Sequence, residues 1–271
     1  MKTFKEFLNE SKKSDAHELA VAKYINDVLG PASGGRIKGH RPPVGTSFAD
    51  VVIIYKPKNE TAWRSDWVEV KMNHTDNLGN PRVFFQDGKW QTTYDTILAK
   101  EAVKLLNSSE QAKKFVTELA ATCNIPIKKI YLSTTKGGLK LENAVQLDQM
   151  RAFCNKWETK RYICKDENYN VSEIVKKHYA EGGKEEDANL IQVGEDLYRL
   201  SNNNAIGFEH FKNIPMFKGT GLFGVRVSTR SEFYEIQIEL KVKKGGSPSD
   251  YTLWTKNGNI PSGSKKLPFE L

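Results

Sequence analysis

Two short apolar segments separated by a polar loop constrain the fold more than any other part of the chain. The first reads S-F-A-D-V-V-I-I-Y from Ser47, and the second, W-V-E-V-K, ends at Lys71 after a polar loop over 56–66. Runs rich in β-branched residues on either side of a loop predict a pair of β-strands. Because side chains alternate along a strand, Glu69 and Lys71 point to the same face. If the strands pair, Asp50 at the head of the first strand comes close to both.

This spacing brings two carboxylates and one ammonium group together at one edge of a small sheet. Two carboxylates held close together repel each other unless a cation lies between them. Carboxylate oxygens without accompanying thiolates or imidazoles suit Mg²⁺, which keeps several of its waters. A lysine beside such a cation can orient or deprotonate an attacking water, or stabilise charge that develops on phosphorus. The alternative is a surface hairpin whose Glu-Lys pair is only solvated.

The order of an aspartate, 18 intervening residues and the triplet Glu-Val-Lys resembles the PD-(D/E)XK nuclease superfamily. That family includes many restriction endonucleases, Holliday-junction resolvases and phage exonucleases. The resemblance implies an α/β (α+β) fold with a restriction-endonuclease-like core, in which a mixed central sheet is flanked by helices. It also implies that Asp50 and Glu69 bind Mg²⁺, with Mn²⁺ as a substitute, and that Lys71 assists the water. The chain departs from the family pattern at Ala49, where the family has proline.

A helix is predicted over 14–29, upstream of the two strands. Its apolar stripe comprises Val21, Tyr24, Ile25 and Val28, and Gly30-Pro31 is a stop signal. Members of the nuclease family often carry an additional acidic metal ligand on this helix, so the resemblance assigns a catalytic, metal-binding role to Glu18. A second role stays open, because Asp15 and Glu18 also have the spacing of a capping box.

The segment 30–46 is rich in glycine, proline and basic residues, which excludes a helix interior or a central strand. Ile37 marks a short first strand. Four basic side chains of this segment are predicted to contact nucleic-acid phosphates: Arg36, Lys38, His40 and Arg41. An ordinary surface loop is the alternative.

Farther along, Asp87-Gly88 between two aromatic runs predicts a β-hairpin. Gln86 and Gln91 flank this turn, and the nuclease resemblance suggests that they position substrate. The alternative is a hairpin whose polar groups face water. Periodicity predicts helices at 92–106, 109–123 and 147–157, and a strand at 127–133. The resulting order is α-β-β-β-hairpin-α-α-β, which fits the implied core.

From about residue 165 the sequence becomes rich in charges and turn residues. A short helix at 171–179 is followed by predicted strands at 190–193, 197–200, 224–228 and 234–242. The expected organisation is therefore a leader over 1–10, a nuclease core over 11–165 and a β-rich region over 166–271.

The first ten residues, M-K-T-F-K-E-F-L-N-E, resemble the capsid-targeting leaders of internal head proteins from T-even-type bacteriophages. Those leaders end at a site for the prohead protease, which Leu8-Asn9-Glu10 fits. The resemblance implies cleavage after Glu10, partnership with the capsid and its protease, and packaging inside the phage head in addition to a host-cytoplasmic location. A frayed first helix is the alternative.

The composition favours a nucleic-acid partner. The 271 residues carry a net charge of +8, and no apolar run approaches the ~20 residues that a membrane span requires. The three cysteines show no disulfide framework, which favours a reducing compartment. The sequence thus predicts a metal-dependent endonuclease of phage origin acting on DNA, and two-strand cleavage would favour a homodimer. The alternatives are a non-catalytic DNA-binding internal capsid protein and a homing or mobile-element endonuclease.

Overall fold

The computed structural model describes residues 4–43, 49–73, 81–133, 162–180, 187–230, 233–242 and 248–271, together with Phe153, Lys156 and Trp157. The helices in these residues are α1 (Phe4–Tyr24), the single turn α2 (Gly30–Ala32), α3 (Ile97–Ser108), α4 (Glu110–Cys123) and α5 (Val171–Tyr179). The strands are β1 (Ile37–His40), β2 (Val51–Tyr55), β3 (Arg64–Lys71), β4 (Phe84–Gln86), β5 (Lys89–Gln91), β6 (Leu132–Ser133), β7 (Tyr162–Asn170), β8 (Ala188–Val193), β9 (Asp196–Arg199), β10 (Thr220–Arg230) and β11 (Phe233–Val242).

The chain divides into two compact units, each built from three separate segments. The large-sheet unit consists of Phe7–Asp76, Ser172–Gly219 and Val242–Leu271. The small-sheet unit consists of Met1–Glu6, Asn77–Val171 and Thr220–Lys241. The chain therefore leaves the large-sheet unit after β3, and it returns there with α5.

A mixed five-stranded sheet with the order β1-β2-β3-β8-β9 forms the centre of the large-sheet unit. β1, β2 and β3 are antiparallel neighbours. β8 pairs with β3 in parallel, and β9 pairs with β8 antiparallel. Parallel neighbours require a long crossover connection, which here includes α5. All six residues of β8 are buried, as expected for a strand in the interior of a mixed sheet.

α1 packs on one face of this sheet because its apolar stripe matches the inward-pointing residues of the strands. The stripe includes Val21 and Ile25, both fully buried, and it meets a core that includes Ile37, Val51, Ile53, Tyr55 and Val68. Gly39 lets the helix approach β1 closely, since a Cβ there would lie 3.0 Å from the carbonyl oxygen of Ala22. A wide π-type turn over Ile25–Leu29 continues α1 toward α2.

The small-sheet unit contains two three-stranded sheets, β11-β10-β7 and β5-β4-β6. The β4–β5 hairpin turns at Asp87 and Gly88, both of which have positive φ, as the Asp-Gly signal predicts. The hairpin prediction is therefore confirmed. Elsewhere in this unit, Phe115 on α4 packs in an aromatic cluster with Phe153 and Trp157.

Several boundaries differ from the sequence prediction. α1 runs without a break through Asp15, so this residue lies inside a helix and does not cap one. α3 begins at Ile97 rather than at residue 92, because the Thr96 side chain accepts from the Ala99 N–H and caps the helix. Of the helix predicted over 147–157, only Phe153, Lys156 and Trp157 are among the described residues.

The strand predicted over 127–133 is not a strand of the central sheet. Only Leu132–Ser133 is extended, and it pairs with β4 in the small-sheet unit. The strand that lies beside β3 is β8, from beyond residue 165. The expected boundary between 165 and 166 therefore differs from the observed division, because hydrogen bonds join β8 to the segment that carries Glu69. The described residues contain no helix long and apolar enough to cross a membrane.

Candidate active site

The register of β2 and β3 brings Asp50 beside Glu69. Val51 pairs with Val68, and the Asp50 N–H donates to the Val68 carbonyl oxygen at 3.2 Å. The next position in this antiparallel register places Asp50 opposite Glu69. The Val70 N–H donates to Asp50 Oδ2 at 2.9 Å, which fixes the aspartate at the head of its strand. The predicted convergence of Asp50 and Glu69 is therefore seen in the large-sheet unit.

Glu69 is a deeply buried carboxyl group, with 2% of its surface exposed. Its Oε1 forms an ion pair with Lys71 Nζ. Its Oε2 is also buried, and no described residue donates a hydrogen bond to it. Burial is the main reason that the pKa of Glu69 rises to about 8; Asp50 raises it further, whereas Lys71 and Tyr179 act in the opposite direction. A buried carboxyl oxygen without a donor is costly unless it is protonated or bound to a cation.

Lys71 lies on the same sheet face as Glu69, two residues along β3. Its side chain is 16% exposed, and its ammonium nitrogen lies 5.8 Å from the centre of the Tyr179 ring. Burial lowers the pKa of Lys71, but Glu69, Tyr179 and Asp50 outweigh this effect and hold the pKa well above its ordinary value. The lysine is therefore a fixed cation at neutral pH. In this state it orients groups and offsets negative charge, and it does not accept a proton.

Glu18 reaches the same cluster from α1. Its side chain is 13% exposed, and burial followed by the charge of Asp50 raises its pKa. Both of its oxygens have donors: Oε1 accepts from the Ser14 hydroxyl at 3.2 Å, and Oε2 accepts from Arg41 Nε at 3.0 Å and Nη2 at 2.7 Å. Arg41 also binds Asp15 at 3.1 Å. Glu18 is thus near the site but already engaged by Arg41.

Within the described part of the chain, no group of three or more His, Cys, Asp or Glu side chains is arranged to hold a metal ion. Mg²⁺, however, usually takes only one or two carboxylates and fills its other positions with water and substrate phosphates. Asp50 and Glu69 fit this coordination preference, because the buried Glu69 Oε2 lacks a hydrogen-bond donor among the described residues. Glu18 fits it less well, because Ser14 and Arg41 occupy its oxygens.

The structure separates the residues predicted to contact nucleic acid into three groups. Arg36 is engaged within the fold, donating to Tyr55 Oη at 3.0 Å and to the Ser33 carbonyl oxygen at 3.0 Å, and Arg41 is engaged by Glu18. Lys38 and His40 are exposed on β1. The remaining two, Gln86 and Gln91, lie in the small-sheet unit, where Gln91 Nε2 donates to the Gln86 carbonyl oxygen at 2.9 Å.

Sequence reasoning missed two residues at this site. Tyr179 ends α5 and is buried beside Glu69 and Lys71. Its position depends on the parallel pairing of β3 and β8, which returns α5 to the sheet, and no local pattern reports that pairing. Arg41 was predicted to contact phosphate, but it binds the glutamate of α1 instead. The available signal was the coincidence of two acidic residues on α1, Asp15 and Glu18, with a basic residue just after β1.

Comparisons of the chain with known proteins give no match to a protein-family model, a curated protein or a solved structure.

Proposed function

We propose that the protein is a metal-dependent nuclease that hydrolyses phosphodiester bonds of DNA at the cluster of Asp50, Glu69 and Lys71. The observation that carries this proposal is the state of Glu69, a buried carboxyl group with one oxygen bound to Lys71 and the other without a donor among the described residues. Asp66 Oδ2 is likewise buried without a donor among the described residues, so this state alone does not mark a site. Glu69 is distinguished because it also lies opposite Asp50 and beside Lys71 on the same sheet face.

Asp50 and Glu69 would hold Mg²⁺, or Mn²⁺ in its place. The cation would supply a bound water of lowered pKa and charge neutralisation at phosphorus. Asp50 is held for this task by the Val70 N–H. Lys71, permanently charged and restrained by Glu69 and Tyr179, would orient the water and offset charge on the phosphate oxygens. Most of the catalytic effect would therefore come from groups that are already positioned.

The order of elements supports a restriction-endonuclease-like core as the finer assignment of this fold. The large-sheet unit runs from a helix through three antiparallel strands to a helix and a parallel strand, and the Glu-Val-Lys triplet ends the third strand. This arrangement agrees with the mixed sheet flanked by helices that the resemblance implies. The longest segment of the small-sheet unit, Asn77–Val171, is then an insertion after the third strand.

The resemblance of residues 1–10 to phage leaders suggests that the protein is packaged in a phage head. Cleavage after Glu10 by a prohead protease would release a chain that begins at Ser11, packaged in the head beside DNA. The bond lies within α1, so α1 would have to open locally for cleavage. A homodimer would account for cutting of both strands.

In the direct test, two forms of the purified protein, the full-length chain and a chain that begins at Ser11, are incubated with supercoiled or linear DNA. Each reaction contains Mg²⁺, Mn²⁺ or EDTA. Glu69→Gln and Lys71→Met remove the charges while preserving side-chain size. Glu110→Gln, at an exposed Glu-Lys pair on α4, is the matched control. We expect cleavage that requires a divalent cation, is lost in both site variants and is unchanged in the control.

Absence of cleavage with every cation, with DNA binding equal in all variants, would overturn the enzyme proposal. The net charge of +8 would then favour the non-catalytic DNA-binding capsid protein. Cleavage confined to one sequence would favour the homing endonuclease.

A further inference from the structure

The two faces of the β1–β2–β3 half of the large sheet differ sharply in burial. On the α1 side, residues such as Val51, Ile53 and Tyr55 are fully buried. On the opposite side, the side chains that precede the buried Glu69 along the strands are exposed or only half-buried. This second surface, called here the open sheet face, comprises Lys38, His40, Val52, Ile54, Ser65 and Trp67.

The strand register arranges the open sheet face in rows that lead to the carboxylates. Lys38, Ile54 and Ser65 form one row. His40, Val52 and Trp67 form the next row, and Asp50 with Glu69 follows. With ~3.3 Å per residue along a strand, Trp67 lies ~7 Å along β3 from Glu69. With ~4.8 Å between strands, the face is ~10 Å wide.

Trp63 lies at the far end of this face, just before β3. Its side chain is 46% exposed, which is unusual for so large an apolar group. The ammonium nitrogen of Lys38 lies 5.0 Å from the centre of the indole ring. Trp63 lies six positions before Glu69, which corresponds to ~20 Å along an extended strand. An aromatic platform and a cation therefore stand in line with the carboxylates.

We propose that the open sheet face, with Trp63 at its end, binds a single strand of nucleic acid and leads it to Asp50 and Glu69. Exposed aromatic rings stack on bases of any sequence, and adjacent cations bind the backbone phosphates. Charge selects this occupant, because the cation Lys38 lies on the face and none of its members is acidic. The narrow width suits one strand. This inference rests on the proposed function only in the claim that the bound nucleic acid leads to Asp50 and Glu69, because binding itself requires no catalysis.

Binding is tested with fluorescently labelled single-stranded DNA, single-stranded RNA and duplex DNA, in EDTA so that no cleavage occurs. The variants are Trp63→Ala and Lys38→Gln. Tyr94→Ala is the aromatic control, because Tyr94 is 43% exposed and lies 5.1 Å from the Arg82 guanidinium in the small-sheet unit. Lys23→Gln is the charge control, because Lys23 is an exposed lysine on α1.

We expect Trp63→Ala to weaken single-strand binding about tenfold or more. Lys38→Gln should reduce the slope of log affinity against log salt by about 0.7. The controls and the melting temperatures should change little. Equal losses in Trp63→Ala and Tyr94→Ala, or binding of duplex alone, would overturn the inference. The DNA and RNA arms identify the strand that is bound. Loss of binding in Trp63→Ala, together with absence of cleavage by the unaltered protein, would refute the nuclease and leave the binding face standing. Metal-dependent cleavage by the unaltered protein, with normal binding in Trp63→Ala, would refute the binding face and leave the nuclease standing.

Discussion

Two glutamate–cation pairs lie near Asp50, and they differ in whether a carboxyl oxygen of the glutamate stays available to a ligand. Glu18 and Arg41 join α1 to the end of β1, and described donors satisfy both carboxyl oxygens of Glu18. Glu69 and Lys71 lie on one strand, and Glu69 Oε2 has no described donor. A planar guanidinium with several donors can saturate a carboxylate, whereas an ammonium group that binds one oxygen leaves the other oxygen free for a cation.

One of the pairs therefore serves the fold, whereas the other keeps a carboxyl oxygen available to a ligand. Charge on Asp50 raises the pKa of both glutamates, after burial, which contributes most. Arg41 opposes that effect at Glu18 and keeps the helix docked. At Glu69 the opposition by Lys71 is incomplete, and its pKa remains at about 8. Under the proposed function, Glu69 would exchange its proton for a metal ion.

The largest effect is expected from exchanging each glutamate for glutamine. Glu69→Gln should reduce metal-dependent cleavage by about 100-fold or more, because it removes a charge at the reacting centre. Glu18→Gln should cost only about tenfold, because Glu18 acts through its neighbours. Initial cleavage rates at saturating Mg²⁺ measure both variants. Equal losses in the two variants would remove the distinction between the pairs.

A second prediction concerns pH. Burial raises the pKa of Glu69 to about 8 in the folded protein, whereas in the unfolded chain this carboxyl group has its ordinary pKa of 4.5. The folded state thus binds more protons in that window, so stability in EDTA should be full below it and should fall as pH rises through it. Asp66 should contribute up to about pH 7, since burial raises its pKa to about 7. Lys71 stays charged throughout.

Urea midpoints between pH 5 and 8.5 measure this dependence. Glu69→Gln should flatten the upper part of the curve and Asp66→Asn the lower part. Mg²⁺ should raise the midpoint more at pH 8.5 than at pH 5, because only the carboxylate form of Glu69 binds the cation. An unchanged curve in Glu69→Gln would show that the glutamate does not hold this proton.

The parts of this site that local sequence could predict are those within one strand pair. Asp50, Glu69 and Lys71 follow from alternation and from pairing across a short loop, and the helix at 171–179 and the strands that follow it have periodic patterns of their own. The pairing of β8 with β3 could not be predicted in this way, because 116 residues separate Lys71 from Ala188. For the same reason Tyr179 could not be assigned to the site.

The predicted start of helix α1 near Asp15 was wrong for a different reason. The capping pattern of Asp15 and Glu18 is real, yet the chain continues as helix on its N-terminal side, and both side chains bind Arg41 instead. A local capping signal gave way to a tertiary ion pair. The same contact removed Arg41 from the predicted phosphate-binding set.

A third prediction separates the structural role of the Glu18–Arg41 pair from catalysis. Arg41→Met should destabilise the protein by about 2 kcal/mol, because it leaves a largely buried carboxylate without its charged donors. The metal requirement of cleavage should persist. Urea unfolding and a Mg²⁺ titration of the cleavage rate measure the two effects. The double variant Glu18→Gln, Arg41→Met should recover part of the lost stability, and an additive loss would argue against direct coupling.

The smallest effect is expected at a third pair, which provides the baseline for the other two. Lys23 and Asp27 form an ion pair one turn apart on the exposed side of α1 and its continuation, with 72% and 53% of their side chains exposed. Lys23→Gln should change stability by about 0.5 kcal/mol or less, since solvent screens exposed pairs and ordering two long side chains offsets the attraction. Cleavage and its pH dependence should be unchanged, because the pair has no part in the cluster around Asp50. Loss of cleavage at constant stability would mean that net charge, rather than the geometry of the buried pairs, controls activity.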